Sequence, residues 1–95
     1  MSIKLTPRAK HDLKEIKARY TASSPETAAR IIRELDATFQ LLHNFPLSGK
    51  ERPELLEELR SFPKHPHIIF YKPTAHGIEI TRVLDARRDM DHEDI

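Results

Sequence analysis

Three short apolar runs crowd the last third of this chain, and they limit its fold more than any other feature. They read Leu59-Arg60-Ser61-Phe62-Pro63, His67-Ile68-Ile69-Phe70-Tyr71-Lys72-Pro73 and Gly77-Ile78-Glu79-Ile80-Thr81-Arg82-Val83-Leu84. Each is rich in β-branched and aromatic residues. The breaks between them, Pro-Lys-His-Pro and Pro-Thr-Ala-His-Gly, are turn chemistry. Runs of this length with such punctuation predict an antiparallel meander.

Upstream, the same helix-start signal occurs twice. Thr6-Pro7 and Ser24-Pro25 each place a hydroxyl at the N-cap and a proline at the first helical position, where its missing N–H costs nothing. The first predicted helix carries Ala9, Leu13, Ile16 and Tyr20 on one stripe. Its outer face is Arg8, Lys10, Lys14, Lys17 and Arg19, interrupted by Asp12 and Glu15. The second carries Ala28, Ile32, Leu35, Phe39 and Leu42, widened by Ile31 and Leu41, and stops by Asn44 because Pro46 restricts Phe45. The link Thr21-Ala22-Ser23 is short enough to force an antiparallel hairpin. Ser2–Leu5 alternates as a short strand, and 47–58 reads as a polar loop with a helical turn near Glu54–Glu57.

The predicted order is therefore β-α-α-β-β-β: an α+β fold with the helical hairpin on one face of a small antiparallel sheet of three or four strands. The other face is expected to be partly open and to host any ligand or partner. The expected core is Leu13, Ile16, Ile32, Leu35, Phe39, Phe70, Ile80 and Val83. Residues 1–95 are expected to form one domain.

The chain has no cysteine, which excludes disulfides and thiolate metal sites. Neither a membrane span nor a signal-peptide core is visible, so the expected location is cytoplasmic. Residues 1–50 hold nine Lys/Arg against five Asp/Glu, whereas 51–95 hold seven against ten. That mixture disfavours non-specific duplex binding and suits helices that meet an acidic partner.

Several phrases in this order resemble the ParE branch of the ParE/RelE toxin superfamily of bacterial toxin–antitoxin systems. They are Pro-x-Ala-x-x-Asp-Leu-x-x-Ile (Pro7 to Ile16), Ser-Pro-Glu-x-Ala (Ser24 to Ala28) and Leu-Leu-x-x-Phe-Pro-x-x-Gly (Leu41 to Gly49). Arg-Pro-Glu-Leu (Arg52 to Leu55), Leu-Arg-Ser-Phe-Pro (Leu59 to Pro63), and Ile-Phe-Tyr-x-Pro through Ala-Arg-x-Asp (Ile69 to Asp89) complete the set. One departure is Asp85, where relatives often carry histidine after Arg-Val-Leu.

The resemblance implies a toxin that binds DNA gyrase without acting as an enzyme and forms a hetero-oligomer with a ParD-like antitoxin. The alternatives are a ribosome-dependent messenger endoribonuclease of the RelE type and a non-toxic family member. No cofactor or metal is expected; His65-Pro66-His67 reads as a turn because a third ligand is missing. Expected target contacts are Arg60, Arg82, Arg87 and Arg88. Strand alternation places Ile78, Ile80, Arg82 and Leu84 on one face, and neighbouring strands would bring Arg60 near Arg82. Arg82 equally suits a structural pairing with Asp85, Asp89 or a loop carboxylate. A nuclease would draw on Arg60, Arg82 and His92, although the acidic tail around His92 repels RNA. The antitoxin is expected on Lys10, Lys14, Lys17 and Arg19.

Overall fold

The structure is a computed structural model that describes residues 2–88, 91, 94 and 95. The elements run β1 (Ser2–Leu5), α1 (Pro7–Thr21), α2 (Pro25–Asn44), β2 (Lys50–Glu51), β3 (Arg60–Lys64), β4 (His67–Thr74) and β5 (Gly77–Asp85). Both helix starts form as the sequence predicts. Thr6 Oγ1 accepts from the Ala9 N–H at 3.1 Å and Ser24 Oγ from the Thr27 N–H at 3.2 Å, with Pro7 and Pro25 opening the helices.

The sheet has five strands in the order β1-β5-β4-β3-β2. The meander β3-β4-β5 is antiparallel, but β1 joins the far edge parallel to β5. The sheet is thus mixed, and the loop 47–58 contributes the short edge strand β2, which pairs with β3 through Lys50↔Ser61 and Glu51↔Arg60. Two isolated residues carry too little pattern to be read as a strand; the partner β3 makes them one.

A bulge near the middle of β5 resolves a conflict in the sequence pattern. Phe70 is paired with Arg82 and Tyr71 with Ile80, so Thr81 is the extra residue, its hydroxyl donating to the Phe70 carbonyl at 3.0 Å. Simple alternation would place Ile80 and Val83 on opposite faces. With the extra residue both face the helices, and Arg82 and Leu84 turn to the other side.

The main core joins Ala9, Ile16, Ile31, Leu35, Phe39 and Leu42 to Ile69, Tyr71, Ile78, Ile80 and Val83. Leu13 and Ile32 pack against it only partly buried, because Ile31 takes the inward position on α2. On the opposite face Leu59, Phe70 and Leu84 form a second cluster, flanked by Leu55, Ile68 and Ile95. The face expected to lie open is therefore partly covered by the 52–58 loop and by Ile95.

Gly77 sits where β1 and β5 run side by side, paired with Ser2. A Cβ there would lie 1.8 Å from the Ser2 carbonyl oxygen. Gly77→Ala should therefore push β1 off the sheet and cost about 1–3 kcal/mol, as overpacking does. Urea unfolding together with amide exchange of residues 3–5 checks this; unchanged protection would refute it.

Candidate functional site

β1 ends opposite Ile80, leaving the outer edge of β5 beyond it without a strand partner. α1 supplies the missing partners. The Thr6 N–H donates to the Ile80 carbonyl at 3.0 Å, and Thr6 Oγ1 donates to the Thr81 carbonyl at 2.9 Å. The Val83 N–H donates to Asp12 Oδ2 at 3.0 Å. Asp12 also receives Arg82 through two parallel bonds, Nε to Oδ2 at 2.7 Å and Nη2 to Oδ1 at 3.0 Å. Both side chains are more than nine-tenths buried.

This settles a point that the sequence left open. The carboxylate that Arg82 grips comes from α1 and not from Asp85. Its third donor, Nη1, goes to the Asp94 carbonyl. The Asp12 hydrogen bonds outweigh desolvation and raise the guanidinium pKa further above its ordinary value. Asp12 is accordingly a buried residue and not part of the outer face of α1. A carboxylate at the sixth position of a Pro-led helix, three residues after Ala9 and four before Ile16, is the signal that could have revealed it.

Arg60 and Arg82 do not form a pair. β4 lies between their strands, and the register puts Arg60 beside Tyr71 and Arg82 beside Phe70, on opposite faces. Arg60 instead supports the loop after α2. Its Nη1 donates to the Gly49 carbonyl at 2.8 Å and the Leu47 carbonyl at 3.2 Å, while Nη2 lies 3.5 Å from Glu51. Tyr71 holds the same loop from below: its hydroxyl donates to the Pro46 carbonyl at 2.7 Å and accepts from the Gly49 N–H at 2.8 Å. Burial raises the Tyr71 pKa, so the phenol stays a donor. A cleft of about 300 Å³ opens beside this loop, lined by Leu47, Glu51, Pro53, Glu58, Leu59, Arg60 and Pro73.

Arg87 and Arg88 lie exposed just past β5. Arg87 forms a fork with Asp85, Nε at 3.2 Å and Nη2 at 3.0 Å, and this pair holds the Asp85 carboxyl well below its usual range. Arg88 pairs with Asp94. His92 and Asp89 lie outside the described residues. Lys10, Lys14 and Lys17 share one exposed stripe of α1, whereas Arg19 lies half a turn away on the flank that faces His67. His67 is buried against the edge of the Tyr20 ring, with centroids 6.3 Å apart. Among the described residues no cluster of three metal-ligating side chains occurs, and no helix is long and apolar enough to cross a membrane.

With this geometry in hand, the sequence model of one family, described as the ParE toxin of the type II toxin–antitoxin system parDE, matches residues 3–90. The chain belongs to that family. Toxin ParE3 of Caulobacter vibrioides is 28% identical over 65 residues, which are 68% of this chain and 65% of that protein's length. A solved structure described as the chromosomal ParDE TA system from P. aeruginosa matches with a TM-score of 0.75 at 24% identity, over 90% of this chain and 95% of the other. That likeness concerns the fold.

Two outcomes follow from the buried groups. Asp12→Ala leaves Arg82 unpaired and should cost about 3–5 kcal/mol, while the double change Asp12→Leu with Arg82→Met should recover a large part of it. Urea midpoints of the parent and the two variants decide; a double variant no more stable than Asp12→Ala would contradict the coupling. His67 titrates below its ordinary value, chiefly through desolvation, with Arg19 and His65 lowering it further and Asp85 opposing. Its neutral form is favoured in the fold, so its contribution is full above about pH 6.5, the unfolded value, and is lost as pH falls through the lowered one. His67→Gln should flatten the decline of stability between neutral pH and pH 5, measured by chemical unfolding.

Proposed function

We propose that this chain is a toxin domain that acts in the cytoplasm by binding DNA gyrase and stalling its DNA-cleaved state, and that a ParD-like antitoxin neutralises it by forming a hetero-oligomer. The observation that carries this reading beyond the family is the state of Arg82. A nuclease mechanism of the RelE kind would need Arg60 and Arg82 to meet developing phosphate charge, with donors aimed at the reacting oxygens. Arg82 is instead consumed by Asp12 in a buried two-bond pair, and Arg60 spends Nη1 on two loop carbonyls. What these arginines support is architecture.

The target contacts then fall to Arg87 and Arg88. They stand exposed on the turn after β5, and their counter-ions Asp85 and Asp94 belong to the same surface segment. A guanidinium in such a pair can exchange its carboxylate for one on a partner protein, or for a DNA phosphate, while keeping planar bidentate geometry. Arg82 serves them indirectly, since it holds the Asp94 carbonyl and Asp94 holds Arg88.

The antitoxin is assigned to the stripe Lys10, Lys14 and Lys17. These lysines are exposed and make no ion pair among the described residues, so an acidic segment meets unspent charge. Reversing all three charges should slow association with the antitoxin and flatten its salt dependence, because steering acts mostly on the association rate. An unchanged rate in stopped-flow measurements would place the antitoxin elsewhere.

The target is tested with purified gyrase and supercoiled DNA. The chain should cause cleaved DNA to accumulate, and cells expressing it without a partner should filament while translation continues at first. Arg87→Ala with Arg88→Ala should remove the effect, and His92→Ala should spare it, once both variants are shown to fold. Rapid arrest of translation with cut messages and intact DNA, abolished by His92→Ala, would establish the nuclease reading in its place.

A further inference from the structure

A cluster of charged and titratable side chains gathers where α1 ends and β5 runs out. At its centre is His67, the first residue of β4, only 3% exposed. Across the sheet it stands directly opposite Asp85 on one side and Lys64 on the other, so the three side chains share the face turned to the helices. α1 adds Arg19 and Tyr20, whose ring meets the imidazole edge-on, and the turn before β4 adds His65. Lys64 is paired with Glu34 of α2 at 3.4 Å. Among the described residues the imidazole makes no hydrogen bond, and the carboxylate whose charge reaches it is Asp85.

Asp85 is held by a different cation. Its Oδ1 accepts from the Arg87 backbone N–H at 2.9 Å and from Arg87 Nε at 3.2 Å, and its Oδ2 accepts from Nη2 at 3.0 Å. The Asp85 carbonyl also accepts from the Arg88 N–H at 3.1 Å. Asp85 therefore shapes the turn that carries both exposed arginines, and its carboxylate caps one of them. The two cations are not equal. The Arg87 side chain is 88% exposed, and an ion pair in water holds weakly. A proton on His67 would put its charge behind the strand and against Tyr20, where water screens it far less. Once His67 is charged, the inner cation pulls harder on Asp85 than the outer one.

We propose that Asp85 is a positioning residue shared between two cations: it caps Arg87 while His67 is neutral, and turns to His67 when the imidazole takes a proton, freeing Arg87 for an anionic group of the target. The role of Arg87 as a target contact rests on the reading given under Proposed function; the exchange of the carboxylate does not. Desolvation, Arg19 and His65 all hold His67 neutral at ordinary pH. The coupling is reciprocal. An anion that takes Arg87 releases Asp85, and the released carboxylate favours the proton on His67. Binding should then take up a proton and tighten as pH falls below 6.5, the ordinary value of a histidine. Arg19 acts on the imidazole by its own charge, whereas Arg87 acts on Asp85 and Asp85 on His67.

That difference supplies the test. The His67 ring signals of the full chain are followed through a pH titration by NMR, with His67→Gln used to assign them. Arg87→Gln should raise the His67 midpoint and Asp85→Asn should lower it. With Asp85→Asn in place, Arg87→Gln should move nothing further, whereas Arg19→Gln should raise the midpoint in both backgrounds. An unmoved midpoint in Arg87→Gln, or an equal rise with and without Asp85, would overturn the exchange. Affinity for DNA-bound gyrase is then compared at about pH 7.5 and about pH 6, a range in which histidine titrates. The gain at the lower pH should be larger for the parent than for Asp85→Asn or His67→Gln. Asp85→Asn should bind about two- to five-fold tighter than the parent at the higher pH, the worth of an exposed ion pair. Equal gains in all three proteins would overturn the coupling to binding. If the NMR exchange is seen and the parent binds gyrase at neither pH, the target reading fails and the exchange stands.

Discussion

One carboxylate joins the two halves of this molecule. Asp12 is 70 residues from Arg82 in sequence, yet it accepts two bonds from that side chain and a third from the Val83 backbone. It stands where a strand would otherwise have to stand, closing the edge of β5 that β1 is too short to cover. Thr6 does the same one step earlier, with its backbone N–H and its hydroxyl. α1 is thus both a helix with an apolar stripe and a row of edge partners. The cost of burying a charged pair is offset only because every polar atom in it finds a partner; among the described residues no buried side-chain polar atom is left unsatisfied.

The same device explains why arginines expected to share one surface have diverged. The bulge at Thr81 changes which face each residue of β5 presents, so Arg82 leaves the helix-facing side and closes on Asp12. Arg60, two strands away, turns to the other face and braces a loop. Of the four arginines expected to contact a target, Arg87 and Arg88, beyond the sheet, are the two that stand exposed. In a small protein the permanently charged fork of arginine is as useful for tying loops and edges as for recognising a partner.

Most of the architecture was legible because it is written in local signals. The paired Thr-Pro and Ser-Pro starts, the turn residues between the β-type runs and the stop before Pro46 fix six of the seven elements to within a residue or two. β2 was not legible, since Lys50–Glu51 has no pattern of its own and owes its conformation to Ser61 and Arg60 across from it. The parallel pairing of β1 was equally hidden, because alternation along a strand says nothing of direction. The candidate sites were less readable than the fold. Arg60 and Arg82 were visible as charges in an apolar setting, but their partners come from α1 and from a loop. Asp12 was assigned to the outer face because the helix was read from its apolar residues alone. The cleft depends on Leu47, Pro53 and Pro73, which are distant in sequence and carry no motif.

The position of β1 has a consequence for how such a chain matures. Among the described residues its only strand partner is β5, Ser2 lying beside Gly77 and Leu5 beside Ile80, and α1 is stitched to that same strand. Contacts of such wide sequence separation form late and slow folding. During synthesis β1 and the apolar faces of both helices therefore wait for β5, a strand that covers them. Until β5 emerges, the nascent chain can make neither the Asp12–Arg82 pair nor the surface beyond it. The topology itself holds back completion of the fold until β5 has been made.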